Sequence, residues 1–314
     1  MKRFALIGAS GYIAPRHMKA IKDTGNILVA ALDPFDSVGV MDSYFPACEF
    51  FTQPEAFADY LEDLKRAGQG VDYVAITSPI HLHESHIRLA LRAGADAICE
   101  KPLVLESAAL NRLAQLEQET GRRVQTILQL RTHPALVKLK TELEAQSPTQ
   151  KHEVQLSYIT SRGTWYQRSW KGKLDQSGGL ASNIGVHFFD MLSWLYGDLE
   201  KVEVHERNDT VAAGYLEFTH AKVKWFLSID VGFVPEQLQA KGQRTYRSIT
   251  MDGQEIEFSE GFTDLHTAVY QRTLAGNGFG LEDTAQAIRT VEQIRQLPIV
   301  SNSALRHPFL EARA

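Results

Sequence analysis

Up to about residue 130, short apolar runs alternate with amphipathic stretches. Residues 4–7, 27–32, 73–77, 97–99 and 124–128 read as strands, and the stretches between them as helices. Between the last two runs, Ala108, Leu110, Leu113, Ala114 and Leu116 recur at helical spacing. Strand and helix in strict alternation predict a doubly wound parallel sheet. After Arg131-Thr132-His133-Pro134 the rhythm changes to longer alternating segments over 153–160, 202–206, 212–219, 223–231, 247–251 and 255–258, with Asp252-Gly253 as a hairpin signal. One helix is expected within this half over 180–196, with Ile184, Phe188, Met191, Leu192 and Leu195 as its buried stripe, and another over 281–297. The pattern predicts an α/β domain over residues 1–130, then an α+β domain over 131–314 with an open mixed or antiparallel sheet. No repeat, low-complexity tract or long linker interrupts it.

A length of 314 residues suits two domains, and 44% hydrophobic with 23% charged residues suits a soluble chain with a full core. The net charge of -5 gives no reason to expect nucleic acid or an anionic membrane as partner, so an anionic ligand would have to be met by a local cluster of cations. Two cysteines, Cys48 and Cys99, are too few for a disulfide scaffold and fit a reducing cytoplasm. The first apolar run is too short for a signal peptide, and no run reaches bilayer length. The expectation is a cytoplasmic protein that does not enter a membrane.

The chemistry gathers at the predicted strand ends. Gly8-Ala9-Ser10-Gly11-Tyr12-Ile13-Ala14 follows the first strand and opens a helix, the context in which a glycine turn brings backbone N–H groups up to a pyrophosphate. Aligning Gly11 and Ala14 with G-x-G-x-x-G/A leaves Ala9 at the usual first glycine and Gly8 one residue early, so the turn geometry stays open. Asp33 ends the second strand, where a carboxylate accepts from ribose hydroxyls and repels an extra phosphate, which favours NAD over NADP.

Lys101, in Glu100-Lys101-Pro102, follows a short strand and is given a fixed direction by the proline; beside a cationic nicotinamide and partly buried, its amine would become a base near neutral pH. Asn183 and His187 lie four apart on a predicted helix, with Asp190 three further on. His187 reads either as a proton-handling group or as a core histidine bonded to a carbonyl. Arg162, Arg168, Lys171 and Lys173 are interleaved with Trp165, Tyr166 and Trp170 without an acid, which suits an anionic ligand carrying a ring, or a solvated basic loop, or a subunit contact. His81, His83 and His86 are close in sequence but lack neighbouring Asp or Cys ligands; Ser78, Pro79 and His83 read as walls of a cofactor crevice, and no metal is expected.

Together Ser78-Pro79-Ile80-His81-Leu82-His83, Glu100-Lys101-Pro102 and Asn183-Ile184-Gly185-Val186-His187 resemble the T-P-N-x-x-H, E-K-P and D-x-G-x-H motifs of the Gfo/Idh/MocA oxidoreductases over essentially the whole chain. Ile80 stands for the usual asparagine and Asn183 for the usual aspartate, so proton handling would rest on Lys101 and His187. The resemblance implies an N-terminal Rossmann domain and a C-terminal α+β domain that often mediates oligomerisation, here a homo-oligomer.

Within the family, residues 8–17, Gly163-Thr164-Trp165-Tyr166 and Ser169-Trp170-Lys171-Gly172 are similar to bacterial UDP-N-acetylglucosaminuronic acid 3-dehydrogenases of lipopolysaccharide O-antigen synthesis. These oxidise the C3 hydroxyl of the UDP-linked N-acetylhexosaminuronate with NAD, and several regenerate NAD with 2-oxoglutarate. The residues so implied for the cofactor are Gly8, Ser10, Gly11, Tyr12, Ile13, Asp33, Thr77, Ser78, Pro79, His83, Glu100 and Lys101. For the substrate they are Lys101, Arg162, Trp165, Tyr166, Arg168, Asn183 and His187, with Lys101 and His187 catalytic. Two alternatives stand beside this reading: a dehydrogenase of a free sugar or inositol, and an NAD-binding sugar sensor without catalysis.

Overall fold

The computed structural model describes residues 1–145, 150–256 and 264–311. Strands β1 (Arg3–Ile7), β2 (Ile27–Leu32), β3 (Glu49–Phe51), β4 (Tyr73–Ile76), β5 (Asp96–Cys99) and β6 (Val124–Thr126) form one sheet in the order β3-β2-β1-β4-β5-β6. All five pairings are parallel. The winding reverses between β1 and β4, so the crevice beyond their carboxyl ends is a topological switch point, where ligands of such sheets bind. The sequence pattern does not reveal β3. It is a three-residue edge strand whose first residue is exposed, too short to show a period.

This sheet belongs to a compact unit made of Met1–Thr132 and the described part of Gly261–Ala285. Helix Ala14–Asp23 buries Met18 and Ile21 against Phe4 and Leu6, each such side chain contributing about 1.5–3 kcal/mol. Helix Leu265–Leu274 adds Val269 and Tyr270 to the same cluster. A single boundary near residue 130 does not anticipate this return, because the signal is a short helix far along the chain.

The second unit comprises His133–Glu260 and Gln286–Ala314, as far as they are described. Its strands β7 (His152–Thr160), β8 (Leu199–Arg207), β9 (Val211–Phe218), β10 (Ala221–Ser228), β11 (Thr245–Met251) and β12 (Gln254–Glu255) run in the order β12-β11-β7-β10-β9-β8. Only β7 and β10 pair in parallel, which makes the sheet mixed. Asp252 and Gly253 both adopt positive φ, 53° and 79°, the conformation a two-residue type I′ hairpin needs. Of the strand expected over 255–258, residues 257 and 258 lie outside the described residues.

Helix Val186–Tyr196 covers one face of this sheet, with Phe189 edge-on to Trp225 at 5.2 Å and Phe188 against Tyr158 at 4.9 Å. Adjacent strand residues point to opposite faces, so Phe226 looks the other way, where Phe233, His307 and Phe309 pack on it.

Candidate active site

The turn after β1 is held from several sides. The N–H groups of Gly8 and Ala9 both donate to the Leu32 carbonyl, at 2.8 and 3.3 Å, and the Thr77 hydroxyl donates to the carbonyls of Ile7 and Gly8 at 3.0 and 2.8 Å. Gly8, rather than a glycine at position 9, takes the left-handed conformation, with φ of 94°. A Cβ there would come within 2.7 Å of the Ser78 nitrogen and the Thr77 carbonyl carbon. Asp33 is 5% exposed, and its two carboxylate oxygens accept the N–H groups of Ser10 (3.0 Å) and Phe35 (2.9 Å). A carboxylate has about four acceptor positions, so two remain for ribose hydroxyls. No side chain caps helix Ala14–Asp23; within its first turn the Ala14 and Arg16 N–H groups donate to the Gly11 and Ile13 carbonyls, each at 3.0 Å, and Pro15 has no N–H. Tyr12 is 90% exposed beside this turn. A cradle that a Cβ would fill and an acid at the end of β2 together fit a dinucleotide.

The opposite wall is tied by a histidine. The His83 ring is buried, with Nε2 2.8 Å from the Ser78 carbonyl and Nδ1 2.9 Å from that of Pro102. Burial lowers its pKa against these contacts, and the ring sits between the 77–79 and 101–103 loops. The Ser78 hydroxyl meets His86 Nδ1 at 2.8 Å, and burial takes the His86 pKa down to about 4.

Lys101 follows β5, before a cis peptide bond to Pro102. It is half-buried, and desolvation lowers its amine pKa against the opposing pull of Glu100. Glu100 is spent inside the fold. Its Oε1 accepts from His17 Nε2 at 3.1 Å and His266 Nε2 at 2.9 Å, and Oε2 faces the Lys101 N–H at 3.3 Å. His17 and His266 are absent from the sequence expectations. Only the fold brings the helix carrying His266 to β5.

The burial of this cluster sets an acid sensitivity. Burial alone would raise the Glu100 pKa, but hydrogen bonds from His17 and His266 outweigh it and hold the carboxyl well below the usual 4.5, while burial lowers His17 below 6.5. The folded state thus binds fewer protons than the unfolded chain, on His17 below pH 6.5 and on Glu100 below pH 4.5. Stability is full at neutral pH and falls with acidification, by up to about 1.4 kcal/mol per pH unit per group. Urea midpoints measured from pH 7 to 3.5 are expected to fall throughout, with Glu100→Gln falling less steeply below pH 4.5. Midpoints independent of pH would contradict the cluster's ionisation.

In the second unit, Asn183 lies in a π-helical turn, Ala181–Gly185, that leads into helix Val186–Tyr196. Such turns are frequent at functional sites. Asn183 and His187 are half-buried whereas Asp190 is only 2% exposed, so the first two keep accessible surface. Asn183 Nδ2 donates to the Tyr166 hydroxyl at 2.8 Å, which ties the cationic loop to the turn before His187. Tyr166 is itself buried, and burial raises its hydroxyl pKa, so it anchors that loop; Arg162, Trp165 and Arg168 are exposed around it. Lys171 stands 3.9 Å over the Trp170 ring.

Residues 2–128 match the model of an oxidoreductase family with an NAD-binding Rossmann fold, and residues 151–241 match that family's C-terminal alpha/beta domain. The chain belongs to the Gfo/Idh/MocA oxidoreductase family. Over 98% of its length it is similar to the WlbA (WbpB) dehydrogenase of Thermus thermophilus, solved in complex with NAD and alpha-ketoglutarate, at 59% identity and a TM-score of 0.95 over 100% of that chain. The Thermus enzyme in complex with NAD and UDP-GlcNAcA matches at 58% identity, again with a TM-score of 0.95, over the same shares of both chains. Alignments with curated relatives are shorter. Inositol 2-dehydrogenase of Rhizobium meliloti is 27% identical over 197 residues, 62% of this chain and 55% of that protein, and the chain spans 38% of an uncharacterized oxidoreductase from the same species. Among the described residues, no helix is long and apolar enough to cross a membrane.

Proposed function

We propose that this protein oxidises the C3 hydroxyl of UDP-N-acetyl-D-glucosaminuronic acid to the 3-keto sugar with NAD, and that 2-oxoglutarate reoxidises the cofactor. The observation that carries this reading is the 58% identity, over 98% of the chain, to a dehydrogenase crystallised with NAD and UDP-GlcNAcA. In this reading the first unit, residues 1–132 with the described part of 261–285, takes the dinucleotide and the second the sugar nucleotide. A homo-oligomer, a cytoplasmic location and a place in lipopolysaccharide O-antigen synthesis belong to the same reading.

Bound NAD supplies the acceptor for the hydride that leaves C3. Gly8, Ser10 and Gly11 hold the diphosphate, Asp33 the adenosine ribose, and Tyr12, Ile13, Thr77, Ser78 and Pro79 line the crevice. Lys101, its pKa lowered by desolvation, takes the proton of the C3 hydroxyl as a neutral amine. His187 is the second residue assigned to this proton transfer, assisting the base, and Asn183 keeps the Tyr166 loop in place. Arg162 and Arg168 meet the diphosphate and carboxylate, and the exposed Trp165 ring offers a stacking surface.

The test is to mix the purified protein with UDP-N-acetylglucosaminuronic acid and follow nicotinamide absorbance. A rise that 2-oxoglutarate then erases is expected; no rise with this sugar nucleotide would refute the assignment. An inositol or free-sugar dehydrogenase is the second reading, favoured by the Rhizobium match. The exposed cations separate the two. Arg162→Gln with Arg168→Gln is expected to raise KM for the sugar nucleotide about 10–100-fold, the weight of one or two charge-assisted hydrogen bonds. An unchanged KM would favour a substrate without a diphosphate. A sensor would bind a sugar nucleotide without reducing the cofactor.

A further inference from the structure

Glu100 is bonded from two helices at once. His17 lies on Ala14–Asp23, the helix opened by the glycine turn, and His266 lies on Leu265–Leu274. Their Nε2 atoms reach the same carboxylate oxygen, at 3.1 and 2.9 Å, and the two rings meet edge to face with centroids 5.2 Å apart. His17 Nδ1 lies 2.8 Å from the Tyr270 hydroxyl, so a ring carrying its proton on Nε2 donates to Glu100 and accepts from Tyr270. All four side chains are buried. The second Glu100 oxygen turns to the Lys101 N–H. This chain of contacts runs from the phosphate-turn helix, through one carboxylate, to the backbone that carries the amine.

We propose that His17 and His266, acting through the Glu100 carboxylate, are positioning residues for Lys101. The assignment rests on reading Lys101 as the base. Two imidazole donors fix the rotamer of Glu100, and the fixed carboxylate restrains residue 101 at the end of β5. The same carboxylate is an anion buried close to the amine, and it opposes the desolvation that lowers the Lys101 pKa. The other titratable groups that act on Glu100 are His83, from helix His83–Ala93, and Cys99 on β5; Tyr270 lies behind His17.

The full-length, NAD-loaded protein tests this with four variants. His266→Leu removes a donor, whereas His266→Gln keeps an N–H at the position of Nε2. The leucine variant is expected to lower kcat about 10–100-fold with KM within about twofold, and the glutamine variant to recover to within about threefold of wild type. Glu100→Gln removes the anion, so the Lys101 amine becomes more acidic: the acidic limb of the kcat profile moves to lower pH. NMR titration of ¹³C-dimethylated lysines, with the Lys101 signal assigned by its loss in Lys101→Met, is expected to move the same way whatever the turnover. This reading survives even if His266→Leu does not fold.

Equal losses in both His266 variants, or a Lys101 titration unmoved by Glu100→Gln, would overturn the proposal while leaving the base assignment intact, provided Lys101→Met is inactive. Wild-type turnover in Lys101→Met would overturn both.

Discussion

Lys101→Met is expected to bind NAD with wild-type affinity and to lose all but a trace of its turnover. Methionine keeps an apolar stem of similar length but no basic atom, so the half-buried position after β5 stays filled and the strand end stays packed. What disappears is the proposed base, which takes the proton from the hydroxyl oxygen while hydride leaves the carbon bearing it, and removing a positioned base costs about 100–10,000-fold. Single-turnover reduction of bound NAD, with dinucleotide affinity measured separately, distinguishes lost chemistry from lost binding. Turnover at the wild-type rate would remove Lys101 from its role. His187→Asn, which retains a hydrogen-bonding group, is expected to lose rate without unfolding, and an unchanged rate would mark His187 as structural.

The second large effect belongs to a backbone position. Gly8→Ala forces an L-residue to φ of 94° and drives its Cβ to 2.7 Å from the backbone of Thr77 and Ser78 and from the Thr77 hydroxyl, which is itself bonded to the Ile7 and Gly8 carbonyls. The positive φ alone costs about 1–3 kcal/mol, and parting β1 from the loop after β4 costs more, so a loss of about 3 kcal/mol or more is expected. NAD affinity should fall with it, because the displaced turn is the one proposed to hold the diphosphate. Gly25→Ala is the control. Its φ is also positive, at 73°, but its Cβ would enter open space, so only about 1 kcal/mol is expected. Urea midpoints and NAD titrations of the two variants decide the matter; equal behaviour would show that the cradle tolerates a side chain at residue 8.

Much of the architecture was legible because burial leaves a periodic trace. The runs at 27–32 and 153–160 lie on β2 and β7, and the stripe of Phe188, Met191, Leu192 and Leu195 is the buried side of helix Val186–Tyr196. Lys101 could be singled out because a strand end and a proline lie in one short stretch. What stayed hidden depends on contacts between distant segments. The helix Leu265–Leu274 carries His266 across 166 residues of sequence to Glu100, a separation at which spacing arguments are silent. The glycine motif left its turn open between positions 8 and 9, and only the approach of Thr77 and Ser78 shows why residue 8 has no side chain. In sequence Tyr166 stands among the cations and rings that suit an anionic ligand, yet its ring is buried and its hydroxyl accepts from Asn183, because the π-helical turn brings that amide to it.

The most direct test of the account follows one hydrogen atom. UDP-N-acetylglucosaminuronic acid carrying deuterium at C3 is to be mixed with the NAD-loaded protein, and the reduced dinucleotide released by denaturation and weighed. The account predicts that the deuterium moves to the nicotinamide, making that molecule one mass unit heavier, while the sugar nucleotide becomes a ketone at C3. Reduced dinucleotide of ordinary mass, or a sugar that keeps its deuterium, would contradict oxidation at C3.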